Sequence, residues 1–234
     1  MHDTEGRDIT DDNTTQHTLC DSDRSLTPGM PEATVLFQAA DRFESAAKVF
    51  LLETLRLAKA LRPRARWGYY GFPFCFNNKQ TITGTMPCSH EVIPENNRIH
   101  WLFEESSALY PSTYLRTDDM SENSNYHYIT SRVNEAIRMS KVSPKKNPVY
   151  VYIWSKYQDA NRFISKEDLY NSVALPRQLG ADGVIVWGAT KDVNTAHKCS
   201  AMLDYLQTHL GPTVKHLQQT SSAQQPNILQ IFGK

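Results

Sequence analysis

Apolar residues recur at helical spacing between about Glu32 and Leu61. The recurring positions are Val35, Leu36, Ala39, Ala40, Phe43, Ala46, Ala47, Phe50, Leu51 and Leu55. This spacing predicts one long helix, because residues three and four apart lie on the same helix face. Pro63 ends the predicted helix, since proline lacks the backbone N–H that would continue the hydrogen-bond ladder.

Beyond this helix, short apolar runs alternate with longer helical patterns. The strand-like runs are RWGYYGFPFCF, a stretch near Ser112–Leu115, PVYVYIW (Pro148–Trp154) and GVIVWG (Gly183–Gly188). The helical patterns lie near Tyr128–Lys141, at Ser165–Leu179 with Ser165 as N-cap, and at Asn194–Leu210 before Gly211 and Pro212. Alternation of strands and helices predicts parallel βα units. We therefore predict an α/β fold that forms part of a (β/α) TIM-like barrel.

Both ends of the chain are polar. Residues 1–32 are rich in Asp, Thr, Ser and His and finish in the breaker cluster LTPGMPE, which predicts a disordered tail. Residues 218–234 are rich in Gln and Ser and are expected to be flexible, which leaves a folded region at 33–217. The first residues lack the basic and apolar stretches of an export signal, and no apolar run is long enough to span a bilayer.

Composition narrows the possible chemistry. Lys plus Arg and Asp plus Glu both number 25, so the net charge gives no indication of nucleic-acid binding. Neither the four cysteines nor the eight histidines show metal-ligand spacing, and no phosphate-loop, dinucleotide or nucleophile-elbow motif is present. We expect no metal and no cofactor. Cys75 and Cys88 are either free thiols or, in an oxidising compartment, a local disulfide.

Aromatic residues crowd the predicted strand ends, which in a parallel barrel form the face that carries the active site. They are Tyr69, Tyr70, Phe72, Phe74, Phe76, Tyr110, Tyr114 and Trp187. Rings at such positions either fill the core or stack against the apolar faces of sugars, with tyrosine hydroxyls bonding sugar hydroxyls or amides.

Glycosidases need a carboxylic acid beside the scissile bond. The candidates are Asp3 with Glu5 in the polar tail, Glu104 with Glu105, Asp118 with Asp119, Asp182 and Asp192. Asp182 precedes its strand and so lies at the wrong end of a barrel, whereas Asp192 follows Trp187 on the correct face but suits the first turn of a helix. No candidate is a convincing general acid, so we predict none in this chain.

Several motifs resemble the hyaluronidase family in its arthropod venom type. They are FESAAKVFLLETLRLAKALRPRARWGYYGFPFCFN, WLFEESSALYPSTYLR, SRVNEAIRMSK, LGADGVIVWG and NTAHKCSAMLDYLQTHLGP, in family order between about Val35 and Leu217. The resemblance implies the C-terminal half of a distorted (β/α) barrel that hydrolyses β-1,4 bonds of hyaluronan. It also implies a substrate-assisted mechanism, in which a glutamate is the general acid and the acetamido oxygen attacks the anomeric carbon.

The resemblance also assigns residues. Tyr70 of WGYYGF and Tyr114 of YPSTY match tyrosines of the family's active site, and Trp187 of IVWG matches the tryptophan beneath the acetamide. Tyr152 matches a position in the substrate cleft. Cys75 and Cys88 match a local family disulfide. The implied partner is hyaluronan or a related glycosaminoglycan.

Two departures from the family stand out. First, Phe74 replaces the Asp or Tyr that is common before Cys75. Second, the region that would carry the D-x-E acid motif, upstream of the long helix, is missing. The distant cysteine that pairs with the position of Cys199 in the family is missing with it. We therefore expect a truncated or inactive form. A non-catalytic hyaluronan-binding or regulatory module and an incomplete gene model are the alternatives. The family implies secretion, whereas the start of this chain shows no signal peptide.

Overall fold

The structure, a computed structural model, describes residues 29–77, 88–117 and 122–224. The chain consists of two compact units, residues 1–61 and residues 62–234. The first unit contains α1 (Glu32–Leu61), which is the long helix that the apolar spacing predicts. Glu32 in its first turn and Lys59 in its last turn both favour the helix dipole. Most of the predicted N-terminal tail, residues 1–28, lies outside the described residues.

Four strand segments of the second unit lie side by side and run parallel, in the order in which they occur along the chain. Tyr70 on the first segment bridges Tyr110 on the second, and Ser112 on the second bridges Tyr152 on the third. The third and fourth segments are β1 (Tyr150–Trp154) and β2 (Gly183–Trp187), which pair in parallel over their whole length. The strand predicted near Ser112–Leu115 therefore forms its bridges slightly earlier in the sequence.

Helices connect the successive parallel segments, as the alternating pattern predicts. The first connection contains α2 (Val92–Arg98) and α3 (His100–Glu105), the second α4 (Glu122–Ser140), and the third α5 (Lys166–Gln178). The Ser165 hydroxyl accepts a hydrogen bond from the Asp168 N–H at 3.0 Å, which confirms the predicted N-cap of α5. Gly180 follows that helix with φ of +96°, a conformation that favours glycine.

The C-terminal helical region is longer than the sequence predicts. It consists of α6 (Ala196–Tyr205), a π-helical turn (Leu206–Leu210) and α7 (Gly211–Gln224). The prediction that Gly211 and Pro212 stop the helix was wrong. The π turn restarts the hydrogen-bond ladder, so Pro212 falls in the first turn of α7, where its missing N–H costs little. The helix also continues past residue 218, where the sequence predicts a flexible tail.

The core of the second unit lies between one face of the strands and the connecting helices. Buried strand residues such as Val151 and Ile153 meet buried residues of α4 and α5, among them Ile129 and Val173. Full burial of each such side chain stabilises the fold by about 1.5–3 kcal/mol. The side chains that alternate with these core residues lie on the opposite face of the strands. None of the helices within the described residues has the length and apolarity needed to cross a membrane.

Candidate functional site

Aromatic side chains cover the strand face that points away from the core. Successive side chains of a strand alternate between its faces. Burial of Val151 and Ile153 in the core therefore turns Tyr152 and Trp154 to the other face. Trp154 lies opposite Trp187 in the register of β1 and β2, so the two indoles meet at the C-terminal end of both strands.

Four rings from four separate segments meet at this end. We call Tyr70, Tyr114, Trp154 and Trp187 the aromatic cluster. Ring centroids are 6.0 Å apart for Tyr70 and Tyr114, 5.5 Å for Tyr114 and Trp187, and 4.9 Å for Trp154 and Trp187. Tyr70 is 52% exposed and Trp187 40% exposed, while Tyr114 between them is buried. The cluster thus presents two accessible rings on a fixed aromatic support.

Tyr152 lies beside this cluster rather than at its centre. Its ring centroid is 5.1 Å from that of Tyr70 and 6.1 Å from that of Tyr110, each in an edge-to-face arrangement. It precedes Trp154 by two residues on the same strand face, which places it one layer lower. The structure therefore brings Tyr70, Tyr114, Tyr152 and Trp187 together, and their role in binding a substrate stays a prediction.

Both tyrosine hydroxyls of the cluster take part in hydrogen bonds. The Tyr70 hydroxyl donates to the Ser112 hydroxyl at 3.0 Å. Burial raises the pKa of Tyr114 well above its ordinary range, and its hydrogen bond with Tyr70 and the nearby Tyr70 and Tyr152 phenols act in the same direction. Tyr114 is therefore a neutral phenol at any physiological pH, able to donate a hydrogen bond.

This pKa predicts how stability responds to alkali. Below pH of about 10 the Tyr114 phenol keeps its proton in both states, but above it the unfolded chain ionises first. The folded state holds its proton longer, so stability falls as pH rises. We expect the melting temperature to fall less steeply between pH of about 9 and 11 in Tyr114→Phe than in the parent. Tyr170→Phe, at an exposed position of α5, is the control. Equal slopes for Tyr114→Phe and the parent would contradict the assignment.

Sequence reasoning missed Trp154 and misjudged Asp192. The indole Nε1–H of Trp154 donates to Asp192 Oδ2 at 2.8 Å, and the same oxygen accepts from the Ala189 N–H at 2.8 Å. Asp192 is 2% exposed and lies in a 3₁₀ turn (Thr190–Asp192) that precedes α6, rather than in the first turn of that α-helix. Lys156 Nζ lies 3.6 Å from its other oxygen. The carboxylate therefore fixes both Trp154 and the loop after Trp187. The sequence signal for Trp154 was its spacing of two from Tyr152.

Asp159 and Asp182 also accept hydrogen bonds from other parts of the chain. Asp159 accepts hydrogen bonds from the Thr117 N–H and hydroxyl, and it lies 4.0 Å from the Arg116 guanidinium. Asp182 accepts from the Val149 N–H at 2.8 Å at the start of β1, which is the end remote from the cluster. Four of the candidates considered from sequence lie outside the described residues: Asp3, Glu5, Asp118 and Asp119.

The cysteines follow the expectation from the resemblance. Cys75 and Cys88 form a disulfide, with Cα atoms 4.9 Å apart. Cys199 is a free, exposed thiol whose Sγ contacts the Val193 carbonyl at 3.1 Å. Cys20 lies outside the described residues. Phe74, where the family often has a polar residue, stacks on Phe76 at 5.3 Å between ring centroids. Within the described ranges, no group of three His, Cys, Asp or Glu side chains could hold a metal ion.

Comparisons with known proteins identify one family. A family model described as hyaluronidase matches residues 12–227, beginning ahead of the boundary predicted near residue 32. A hyaluronidase of Tabanus yao is 37% identical over 200 residues, which is 85% of this chain and 56% of that protein. The hyaluronidase of Apis mellifera is 37% identical over 191 residues, or 80% of this chain and 49% of that protein.

Solved structures give the same result. The crystal structure of bee venom hyaluronidase superposes with a TM-score of 0.81 at 35% identity, over 87% of this chain and 65% of that one. A second crystal structure, of the same bee venom protein in complex with a hyaluronic acid tetramer, has a TM-score of 0.81 at 34% identity, over 88% and 64% of the two chains. The present chain thus spans about half to two thirds of the length of these relatives.

Proposed function

Because this chain belongs to the hyaluronidase family, we propose that it supplies the sugar-binding aromatic side of a hyaluronan-cleaving site and that no carboxylate among the described residues serves as its general acid. The observation that carries the proposal is the aromatic cluster at the C-terminal strand ends, with Tyr70 and Trp187 accessible. Exposed rings held by buried ones suit the apolar faces of sugars, and a neutral Tyr114 phenol suits an amide oxygen. Tyr152 extends this surface one layer down.

We also propose that the second unit is part of a (β/α) barrel. Four parallel segments follow one another in chain order with helices between them, as successive βα units of a barrel do. The aromatic cluster then lies at the face where barrel enzymes carry their active sites. In this proposal the cluster orients an acetamido sugar, and its acetamido oxygen takes the place of an enzyme nucleophile.

The same proposal makes the isolated 234-residue polypeptide a poor catalyst. Asp192 contacts Trp154 of the cluster, Asp159 lines the same cleft as Trp154, and both carboxylates are held by cations and N–H donors. Their carboxylate oxygens are thus occupied by donors of the protein itself. Neither carboxylate is therefore assigned the role of protonating the leaving oxygen of the substrate.

A second candidate function is hyaluronan binding without cleavage. The cluster is preformed by contacts among its own rings, so it needs no acid to hold a sugar. The Cys75–Cys88 disulfide favours an oxidising compartment for either function. We propose secretion on this ground and on the similarity to the bee venom protein.

The sugar-binding role is tested by calorimetric titration with a hyaluronan tetrasaccharide. We expect Trp187→Ala to weaken binding by roughly tenfold or more, since a central tryptophan of an interface is commonly worth about 2 kcal/mol. Trp187→Phe keeps an aromatic face and is expected to keep most of the affinity. Tyr170→Ala, on the outer side of α5, is the control for surface change. Equal affinity in the parent and Trp187→Ala would refute the role of the cluster.

A further inference from the structure

Beside the aromatic cluster lies a cleft whose lining includes three lysines and two aspartates. These charged residues are Lys156, Asp159, Lys191, Asp192 and Lys198, and Trp154 lies among them. Trp154 belongs to both the cleft and the cluster, since its ring centroid is 4.9 Å from that of Trp187 and 5.8 Å from that of Tyr114. The cleft therefore adjoins the aromatic cluster through the buried Trp154 ring.

The charges of the cleft do not cancel. Asp192 is matched by Lys156, 3.6 Å away, and Asp159 by Arg116, 4.0 Å away. Lys156 is buried and also donates to the Asn161 side chain at 2.9 Å, so its ammonium is fully engaged within the protein. Within the described residues, no carboxylate lies within 4 Å of the ammonium of Lys191 or Lys198. Two positive charges therefore remain for a ligand.

The Lys198 ammonium is held by hydrogen bonds, and the Lys191 ammonium lies over a ring of the aromatic cluster. Lys198 Nζ donates to the Lys191 carbonyl at 2.9 Å and to the Asn194 side chain at 3.0 Å, which uses two of its three N–H groups. Lys191 Nζ lies 5.4 Å from the centroid of the Trp154 ring, on its face. Both lysines thus line the cleft, Lys191 in the turn that includes Asp192 and Lys198 in the first turn of α6.

We propose that Lys191 and Lys198 form a subsite for an anionic sugar substituent, a carboxylate or a sulfate, next to the sugar on the aromatic cluster. The inference rests on the proposed function, because it assumes that a saccharide occupies the cluster. The new element is that the sugar next to the one on the aromatic cluster is acidic, and that two lysines bind its negative charge. Charge-assisted hydrogen bonds to such a group are stronger than those to neutral hydroxyls.

The test compares three tetrasaccharides on the full 234-residue chain: hyaluronan, which carries only carboxylates, chondroitin 4-sulfate, and the neutral oligomer of N-acetylglucosamine. We expect Lys191→Gln/Lys198→Gln to weaken binding of the acidic ligands by about threefold to tenfold at low salt and to reduce the salt dependence of their affinity. Binding of the neutral oligomer should not change. The preferred acidic ligand then distinguishes a carboxylate from a sulfate. Lys141→Gln/Lys145→Gln, two exposed lysines in another loop, is the charge-matched control.

Failure of the subsite and failure of the proposed function give different results. If the double lysine variant binds acidic ligands as the parent does, with the same salt dependence, while Trp187→Ala still weakens all three ligands, the subsite is refuted and the sugar-binding cluster stands. If the parent binds none of the three, both proposals are overturned. A loss equal to that of the charge-matched control would show a general field effect and would also overturn the subsite.

Discussion

The 234-residue chain is expected to cleave hyaluronan at least about a hundredfold more slowly than a full-length venom hyaluronidase assayed beside it, because a positioned general acid contributes roughly a hundred- to ten-thousand-fold. In the proposed function the aromatic cluster holds a sugar, but the carboxylates Asp192 and Asp159 are held in ion pairs and hydrogen bonds. Reducing-end release between acidic and neutral pH measures the rate, and viscosity measures depolymerisation.

Two controls show whether a slow rate reflects the missing acid rather than aggregation or misfolding. Size-exclusion chromatography establishes whether the chain is monodisperse, because an aggregated preparation would also cleave slowly. Binding of a hyaluronan tetrasaccharide by the same preparation shows that the cluster is folded. Family-level activity that disappears in Trp187→Ala would contradict the prediction. It would direct attention to a carboxylate of this chain, such as Asp192, or Asp118 and Asp119, which lie outside the described residues.

Replacing Asp192 by alanine is expected to lower the free energy of unfolding by about 3–5 kcal/mol, the usual cost of removing one partner from a buried ion pair. The change leaves the Lys156 ammonium buried without its anion. It also removes the acceptor for the Trp154 indole N–H and the Ala189 N–H. Denaturant unfolding followed by tryptophan fluorescence measures the loss, and the near-ultraviolet dichroism of Trp154 and Trp187 should weaken with it.

Matched variants separate the charge from the hydrogen bonds. Asp192→Asn retains an oxygen that can accept from Trp154, so its loss should be smaller than that of Asp192→Ala. Adding Lys156→Met to Asp192→Asn removes the unpaired buried charge and should recover part of the stability. Asp204→Ala, at an exposed position on α6, should change stability by no more than about 0.5 kcal/mol. A loss below about 1 kcal/mol for Asp192→Ala would mean that the pair contributes little.

Local patterns were sufficient for most of the elements. Helical apolar spacing predicted α1, and the Ser165 cap with Gly180 predicted both ends of α5, because these signals depend on residues within one or two turns. The continuous apolar run of β2 predicted a parallel strand. The same local logic failed at Gly211 and Pro212, where a π turn rather than a loop joins α6 to α7. Proline has two permitted outcomes, a stop or a first turn, and sequence spacing does not choose between them.

The sequence by itself determined which rings stand at the strand ends, since the residue type and the strand period are both local properties. It placed Tyr70, Tyr114 and Trp187 at such positions, whereas the family resemblance assigned Tyr152 to the substrate cleft and paired Cys75 with Cys88. Tertiary structure alone decided which of these rings touch, that Trp154 completes the cluster, and that Asp192 is buried against Lys156. Those contacts join residues more than 30 positions apart. They depend on how parallel strands are aligned across the sheet, which no periodicity within one strand specifies.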